Sequence, residues 1–246
     1  MSSKKAVILV DGQNLFYGLR DIGILEKDII WDKLFQSFLE KDEDLIRTYW
    51  FRPQRLFDSH FTYFGIRNKI CYRKYKNHIH NYTNKDTKHL VPQHIIDDIE
   101  NEAAPVESWL KFEQEKFAKI QYNYDQIGLE YGDIEFVKTG IVKIDPFNQS
   151  YIGEKGVDIS LAVKMIALSV EKRCDKIILV SGDFDYAEAI KFVKNNMTKI
   201  HLVKFHKGFP PQNRSVSRDL AVLSDKVIDV YESNLRSNFV KNAANP

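Results

Sequence analysis

The sequence has few of the features that assign a chain to a class at once. Its 246 residues contain only two cysteines, Cys71 and Cys174, and neither belongs to a Cys-x-x-Cys pair or to a Cys/His array. This excludes a zinc module of the usual spacing and a disulfide scaffold. No apolar run reaches the length of a membrane span, and the first residues enter a strand pattern instead of a cleavable signal. We therefore expect a soluble, cytoplasmic protein that does not act at a membrane.

An excess of charge of one sign is also missing. The 36 Lys and Arg residues nearly balance the 34 Asp and Glu residues, which gives a formal net charge of +2. That value is too mild to indicate a polyanionic partner, so any nucleic-acid site has to come from local clustering. The hydrophobic share of 43% and the length allow one large domain or two small ones with a sizeable core.

Short apolar runs that stop at a carboxylate are what the chain does contain. Residues 6–10 form a continuous apolar run that ends at Asp11, and residues 177–180 form another, followed by Asp183 and Asp185. Such runs are typical of buried parallel strands, and helical patterns resume after both of them. Further strands are predicted at 45–51, 134–137, 141–144, 200–203 and 227–230, with helices at 15–19, 31–39, 106–120, 159–170 and 217–223.

This alternation predicts an α/β, Rossmann-like fold with a mainly parallel sheet between two helical layers. Residues 54–129 interrupt it, because residues 66–90 are basic and rich in tyrosine and residues 97–115 are acidic. We interpret this segment as a helical and basic insertion into a single domain over residues 1–232. Residues 233–246 are expected to form a loose polar tail.

Four carboxylates are predicted to meet at one edge of this sheet. Asp11, Asp158, Asp183 and Asp185 each follow a strand or begin a helix, and a parallel sheet brings such positions together. Like charges in close proximity are costly unless a cation neutralises them. Oxygen ligands select hard ions, so the cluster predicts Mg²⁺ or Mn²⁺. Such an ion can activate water and stabilise a phosphate in its transition state, as in nucleases.

Local structure offers a second explanation for each of these residues. An Asp at a helix N-terminus is a favoured cap, and an Asp in a turn bonds its own backbone. Capping accounts for Asp158 as well as metal ligation does. Asp183 and Asp185 together favour ligation, since one cap would suffice. Asn14, one turn beyond Asp11, has three open roles: to bond a phosphate, to orient a ligand or to cap its helix.

Four segments, in chain order, carry a resemblance to a known family. They are VDGQNL at 10–15, KGVD at 155–158, SGDFDY at 181–186 and LAVLSDKVIDV at 220–230. These segments resemble the NYN domain of LabA-like proteins in the PIN-like nuclease superfamily, over most of the chain outside about 54–129. The resemblance implies a divalent-metal site and endoribonuclease activity. It also implies that Asp11, Asp158, Asp183 and Asp185 form the acidic site, with Asn14 as its polar companion.

Two positions depart from the pattern that the resemblance implies. Lys164 stands where another Asp is often found, six residues beyond Asp158. This leaves open whether the site binds one metal ion or two. Tyr186 stands where Phe is common, a change that we expect to be mild.

Two basic groups are candidates for contact with RNA. Residues 66–90 mix positive charge with tyrosine rings, a combination that single-stranded nucleic acid favours, although a solvated surface loop has the same composition. The second group follows the strand at 200–203. The histidines of residues 78–94 lack the spacing of metal ligands and are assigned no role. The selected candidates are Arg73, Lys74, Lys76, Lys204, Lys207 and Arg214.

The sequence therefore predicts a metal-dependent endoribonuclease acting on single-stranded or structured RNA. An RNA-binding or regulatory NYN module with little catalysis is the alternative, and Lys164 favours it. A phosphoryl-transfer enzyme of the TOPRIM type also uses a DxD turn, but it would have a glutamate near the end of the first strand, where this chain has Asp11. The RNA target and the oligomeric state, a homodimer included, stay open.

Overall fold

A computed structural model describes residues 3–57, 65–212 and 218–241. Within these ranges, six strands form a sheet in which every neighbouring pair is parallel, in the order β4-β2-β1-β7-β8-β9 given by the ranges that follow. Three further strands form a small mixed sheet in the order β3-β5-β6. The strands are β1 (Lys4–Asp11), β2 (Glu43–Arg52), β3 (Arg55–Phe57), β4 (Ile134–Lys138), β5 (Ile141–Asp145), β6 (Ser150–Lys155), β7 (Lys176–Val180), β8 (Lys199–His206) and β9 (Lys226–Tyr231).

Helices cover both faces of the six-stranded sheet. Alternate residues of β1 point to opposite sides of the sheet. Ile8 and Val10 join an apolar cluster with the helices at 12–21, 31–36 and 232–238. Val7 and Leu9 join a second cluster with the helices at 157–170, 187–195 and 218–223. This confirms the predicted three-layer α/β fold. The helices are α1 (Gly12–Asp21), α2 (Trp31–Gln36), α3 (Ile66–Lys74), α4 (Ile79–Thr83), α5 (Gln93–Glu130), α6 (Val157–Val170), α7 (Ala187–Asn195), α8 (Arg218–Leu223) and α9 (Glu232–Asn238).

The chain divides into two compact units. The first comprises residues 1–53, 122–140 and 156–246, and the second comprises residues 54–121 and 141–155. The second unit contains the small sheet and its own apolar cluster, which includes Ile70, Cys71 and Ile99. Much of the basic stretch at 66–90 is helical in α3 and α4, so the loop interpretation of it is wrong. The extent of the predicted single domain, 1–232 with an insertion at about 54–129, stays a prediction.

Two sequence expectations need correction. Residues 141–144 were expected to continue the main alternation, but they form β5 of the small sheet. Residues 233–246 were expected to form a loose tail, but residues 233–238 belong to α9, in which Leu235 is fully buried, and residues 242–246 lie outside the described ranges. Among residues 233–241, only Leu235, Phe239 and Val240 are apolar, which is too sparse a pattern to indicate packing. In the described ranges, no helix combines the length and the apolar composition needed to cross a bilayer.

The order of the strands places a crevice between β1 and β7. From β1 the sheet grows towards β2 and β4 on one side, and towards β7, β8 and β9 on the other. At such a switch point the loops leave the C-terminal ends of neighbouring strands in opposite directions, and ligands bind in the gap between them. Asp11 ends β1, and Ser181 follows β7, so both lie at this gap.

Candidate active site

Asp11 joins the ends of two strands. It is the last residue of β1, and its side chain is almost completely buried. Oδ1 caps α1 by accepting the backbone N–H groups of Gln13 and Asn14, each at 3.1 Å. Oδ2 accepts from Asn14 Nδ2 at 2.7 Å, from Ser181 Oγ at 3.0 Å and from the Tyr186 hydroxyl at 3.1 Å. The capping interpretation is therefore correct for Asp11 but incomplete, since the same carboxylate also binds the segment after β7.

Asp158 lies in the first turn of α6 without capping it. The N-cap is Gly156, which has a left-handed backbone (φ +87°) that a side chain would strain. Asp158 Oδ1 instead accepts from the Tyr186 hydroxyl at 3.2 Å, and within the described residues this is the only hydrogen bond to its carboxylate. The capping alternative for Asp158 is therefore excluded, and its carboxylate faces the end of β1.

Asp183 and Asp185 lie in the turn between β7 and α7. Asp183 is half-buried, its Oδ1 accepts the backbone N–H of Asp185 at 3.0 Å, and its own N–H donates to Ser181 Oγ at 3.2 Å. Asp185 is exposed. One acid therefore shapes the turn while the other lies at its surface. The same turn ends at Tyr186 and directs its ring into the protein.

Tyr186 connects the acids of β1 and α6. Its ring is 1% exposed and packs in the cluster on the α6 and α7 face, while its hydroxyl contacts both Asp11 and Asp158. Burial, with the negative charges of Asp11 and Asp158 next, raises the pKa of the Tyr186 hydroxyl, which keeps it protonated as a donor. A phenylalanine at this position would lack both contacts, and the expectation that the difference is mild stays a prediction. Tyr186 and Ser181 belong to the SGDFDY segment, but no local pattern indicates that their hydroxyls meet Asp11, because that contact joins distant parts of the chain.

The acids act on one another electrostatically. Burial and the charge of Asp11, with smaller contributions from Asp183 and Asp185, raise the pKa of the Asp158 carboxyl, while the Tyr186 hydrogen bond opposes the rise. A raised carboxyl pKa means that the charged form is disfavoured at this position. Burial is the main cause of this penalty, and the neighbouring charge of Asp11 adds to it.

Asn14 ties helix α1 to the turn after β7. Its Nδ2 donates to Asp11, and its Oδ1 accepts the backbone N–H of Gly182 at 3.3 Å. Because Asp11 is the cap of α1, the capping role proposed for Asn14 is excluded. Asn14 orients the Asp11 carboxylate across the gap between β1 and β7.

A crevice of about 150 Å³ opens beside these residues on the α1 side of the sheet. Asn14 and Gly182 belong to both the acidic edge and the crevice, and the side chains of Leu15 and Phe205 supply an apolar wall. The crevice therefore continues from the acids into a space with both polar and apolar lining.

The chemistry of the donors fits a hard divalent cation, but the described residues do not form a complete ligand set. Among them, no group of three or more His, Cys, Asp or Glu side chains closes around a position that could hold a metal ion. Asp11 and Asp158 do converge. Mg²⁺ is usually held by one or two carboxylates, with water and substrate phosphate completing its shell. Two converging carboxylates with two more acids nearby match that requirement.

Lys164 takes no part in the acidic edge. Its ammonium lies 4.0 Å from the centroid of the Tyr49 ring on β2. It lies six residues beyond Asp158, nearly two turns further along α6, which corresponds to a rise of about 9 Å. The lysine therefore stacks on the sheet and does not neutralise Asp158.

The candidate RNA-binding residues of the second unit have partners within that unit. Lys74 contacts both Asp98 and Glu102, which neutralise its charge. Arg73 lies over the Phe147 ring at 5.5 Å, and Lys76 lies over the Tyr72 ring at 5.7 Å.

The candidates of the first unit follow β8 and its end. Lys204 is half-buried and Lys207 is exposed, while Arg214 lies outside the described residues. Lys204 pairs in register with Asp229 of β9. The expectation that these residues bind RNA stays a prediction.

Comparison with known proteins gives one family match. The family model for the NYN domain matches residues 5–231. No curated protein matches the chain. Among solved structures, a protein of unknown function from Vibrio parahaemolyticus RIMD 2210633 is 13% identical, with a TM-score of 0.46, over 93% of this chain and 94% of that chain. A likeness at this level carries no argument, so the assignment of the chain to a family depends on the family model alone.

Proposed function

Because the chain belongs to the NYN domain family, and through it to the PIN-like nuclease superfamily, we propose that it is a divalent-metal-dependent endoribonuclease. PIN-like nucleases generally use divalent metals. The proposed reaction is cleavage of RNA phosphodiester bonds at the C-terminal edge of the main sheet. The proposed ion is Mg²⁺ or Mn²⁺.

One observation carries this proposal: the carboxylates of Asp11 and Asp158, from distant parts of the chain, converge on the Tyr186 hydroxyl at the switch point of the sheet. Such an arrangement costs stability, as the raised pKa of Asp158 indicates. Structural needs do not require it, since an apolar contact between β1 and α6 would pack as well. A cation site accounts for the cost.

The proposed roles follow from the contacts. Asp11 and Asp158 hold the cation, Asp183 and Asp185 add negative charge at the mouth of the site, and Asn14 keeps the Asp11 carboxylate oriented. When bound, the ion supplies activation of water and neutralisation of charge on the phosphate. The crevice beside Asn14 and Gly182 gives the nucleotide next to the cleaved bond a place to bind.

For RNA contact, we propose the exposed Lys207 and its neighbour Lys204 on the first unit, with Arg214 following them in sequence. On the second unit, Arg73 and Lys76 are better candidates than Lys74, because Lys74 is already neutralised by two acids. Positive charge near a phosphate backbone gives binding that weakens as salt is added.

The test is Asp158→Asn, assayed for cleavage of a diverse RNA pool with Mg²⁺ and with Mn²⁺. The amide keeps an oxygen that accepts from Tyr186 but removes the charge, so we expect cleavage to fall about 100-fold or more. Asp42→Asn is the matched control: Asp42 precedes β2 at the opposite edge of the sheet and pairs with Lys4. It should cleave like the wild type.

The thermal stability of the same variant separates lost catalysis from lost folding. A carboxyl whose pKa is raised by folding contributes stability below its unfolded pKa and loses it as the pH rises through the folded value. At a pH above the folded pKa, the ionised Asp158 therefore weakens the fold, so Asp158→Asn should melt there at or above the wild-type temperature. Wild-type protein that binds RNA but leaves the pool intact with either ion would instead support the RNA-binding module.

A further inference from the structure

Tyr186 makes a contact that the packing of its ring does not require. The ring fills space among Leu9, Leu161 and other buried apolar side chains, and a phenylalanine would fill the same space. A buried hydroxyl needs one hydrogen-bond partner. The Tyr186 hydroxyl has two, Asp11 Oδ2 at 3.1 Å and Asp158 Oδ1 at 3.2 Å. The second carboxylate is the feature that needs an explanation.

A hydroxyl has a single proton, so it donates a full hydrogen bond to only one carboxylate at a time. Two carboxylate oxygens turned towards one point are the arrangement that a cation favours. Asp158 has no other hydrogen-bond donor in the described part of the chain. Among the described residues, the Tyr186 hydroxyl is thus the only hydrogen-bond donor that links Asp158 to Asp11.

Distance makes the hydroxyl and a cation competitors. Mg²⁺ binds oxygen ligands at about 2.1 Å, roughly 1 Å shorter than the distances from the hydroxyl to the two carboxylate oxygens. Asp11 Oδ2 already accepts three hydrogen bonds, including the one from Tyr186, which occupy its lone pairs. An ion that binds this oxygen therefore competes with its hydrogen-bond donors, and the Tyr186 hydroxyl is the donor that this oxygen shares with Asp158.

We propose that Tyr186 is a positioning residue whose hydroxyl stands between Asp11 and Asp158 in place of a divalent cation and competes with the cation for the same two oxygens. It holds the acids together in the metal-free protein and lowers their affinity for the ion. This inference rests on the proposed function, because it takes these acids to be the metal site.

The test is Tyr186→Phe, titrated with MnCl₂ by calorimetry beside the wild type. Removing a competing hydrogen bond to a charged acceptor should tighten Mn²⁺ binding about tenfold. The melting temperature of Tyr186→Phe should be lower than that of the wild type without metal, and it should rise more when Mn²⁺ is added.

Tyr124→Phe is the matched control. Tyr124 is also buried in the first unit, and its hydroxyl donates to Glu26 Oε2 at 2.9 Å, a carboxylate that is not among the four acids of the site. Its loss removes the same atom from a buried tyrosine, so Mn²⁺ affinity should stay at the wild-type value. Tightening in Tyr124→Phe as well would overturn the inference.

The remaining results of the Mn²⁺ titration distinguish failure of the Tyr186 proposal from failure of the proposed metal-dependent function. If Tyr186 were only structural, its loss would lower the melting temperature equally with and without Mn²⁺. That result, or unchanged or weaker Mn²⁺ binding by Tyr186→Phe, overturns the inference and leaves the metal site standing. Absence of Mn²⁺ binding by both proteins overturns the inference and the metal-dependent function together.

An NMR titration of the wild-type protein with Mg²⁺ tests the same proposal. Mg²⁺ should shift the NMR signals of the Tyr186 ring, because its hydroxyl loses a carboxylate partner, while the Tyr124 signals stay in place. Unchanged Tyr186 signals at saturating Mg²⁺ would contradict the proposal.

Discussion

At the scale of single residues, Asp11 shows how a helix cap and contacts with a distant segment combine in one side chain. The sequence offered capping and metal ligation as alternatives, but one oxygen caps α1 and the other accepts from Asn14, Ser181 and Tyr186. A carboxylate has about four lone-pair positions, enough for both tasks. The local pattern at residues 10–15 indicated the cap, whereas the other partners are up to 175 positions away in the chain.

Gly12, the next residue, is predicted to tolerate no side chain. A Cβ there would lie 2.4 Å from Cδ and Nε of Arg52 and 2.5 Å from the carbonyl oxygen of Phe51. Arg52 cannot easily move away, because it is buried, paired with Glu26 and stacked on the Tyr124 ring at 4.1 Å. Gly12→Ala should lower the free energy of unfolding by about 1–3 kcal/mol, the usual cost of overpacking. Urea unfolding measures this change.

Gly18 provides the comparison on the same helix. A Cβ at Gly18 would meet Phe205 at 3.7 Å, an ordinary contact. Alanine is favoured over glycine within helices by about 0.5–1 kcal/mol, so Gly18→Ala should raise the stability. A loss in Gly18→Ala equal to that in Gly12→Ala would mean that the helix, and not the approach of Arg52, sets the requirement.

At the scale of elements, the sequence predicted that helices and strands exist better than it predicted the residues at which they begin and end. The pattern indicated a helix at 106–120, but α5 runs from Gln93 to Glu130 and contains Pro105. Proline inside a helix removes one backbone hydrogen bond, so Pro105 argued against a continuous helix. The many acidic residues in the first part of α5 also made its apolar positions difficult to recognise in the sequence. Ile95, Ile99 and Ala103 are buried there in the cluster of the second unit, so packing overrides the sequence pattern.

Helix α9 gives a prediction at this scale. Leu235 is fully buried in the cluster on the α1 side of the main sheet, and Arg236 donates to the carbonyl oxygen of Ile22. Leu235→Ala should lower the free energy of unfolding by about 2–5 kcal/mol, the range for truncation of a buried leucine. Ser233→Ala on the exposed side of the helix should change it by less than about 0.5 kcal/mol. Equal small effects in urea unfolding would restore the interpretation of a loose tail.

At the scale of the whole sheet, acidic side chains at its two edges have different partners. At the N-terminal edge, the acids Glu40, Asp42 and Glu43 pair with Lys226, Lys4 and Lys176. The C-terminal edge also has ion pairs, at Arg52 and Lys138, but Asp11 and Asp158 meet there at a neutral hydroxyl. These two acids are the ones to which the proposed function assigns the cation.

The pair formed by Lys176 and Glu43 is the most buried of these, with side-chain exposures of 2% and 4%. Lys176→Met should lower the free energy of unfolding by about 3–5 kcal/mol, because it leaves the buried carboxylate of Glu43 without a counter-charge. Adding Glu43→Leu should recover much of the loss, since an apolar pair can replace a buried ion pair. Lys4→Met, at an exposed pair, should have little effect in the same denaturant titration. A double variant no better than Lys176→Met would contradict this account.

The sequence by itself determined the fold class and the family. The apolar runs at residues 6–10 and 177–180 have lengths and ends set by local chemistry, and the family model that covers residues 5–231 confirms the resemblance found in its motifs. The position of Asp11 at a strand end, and of Asp158 in the first turn of a helix, also follows from neighbours in the chain.

Only the tertiary structure decided which groups meet. That the Tyr186 hydroxyl lies between Asp11 and Asp158, that Lys164 turns to Tyr49, and that Leu235 is buried all depend on contacts between distant segments. The order of the strands and the packing of the helices set these contacts. Hydrophobic patterning constrains which face of an element is buried, but it does not specify the partner of a polar group at the end of that element.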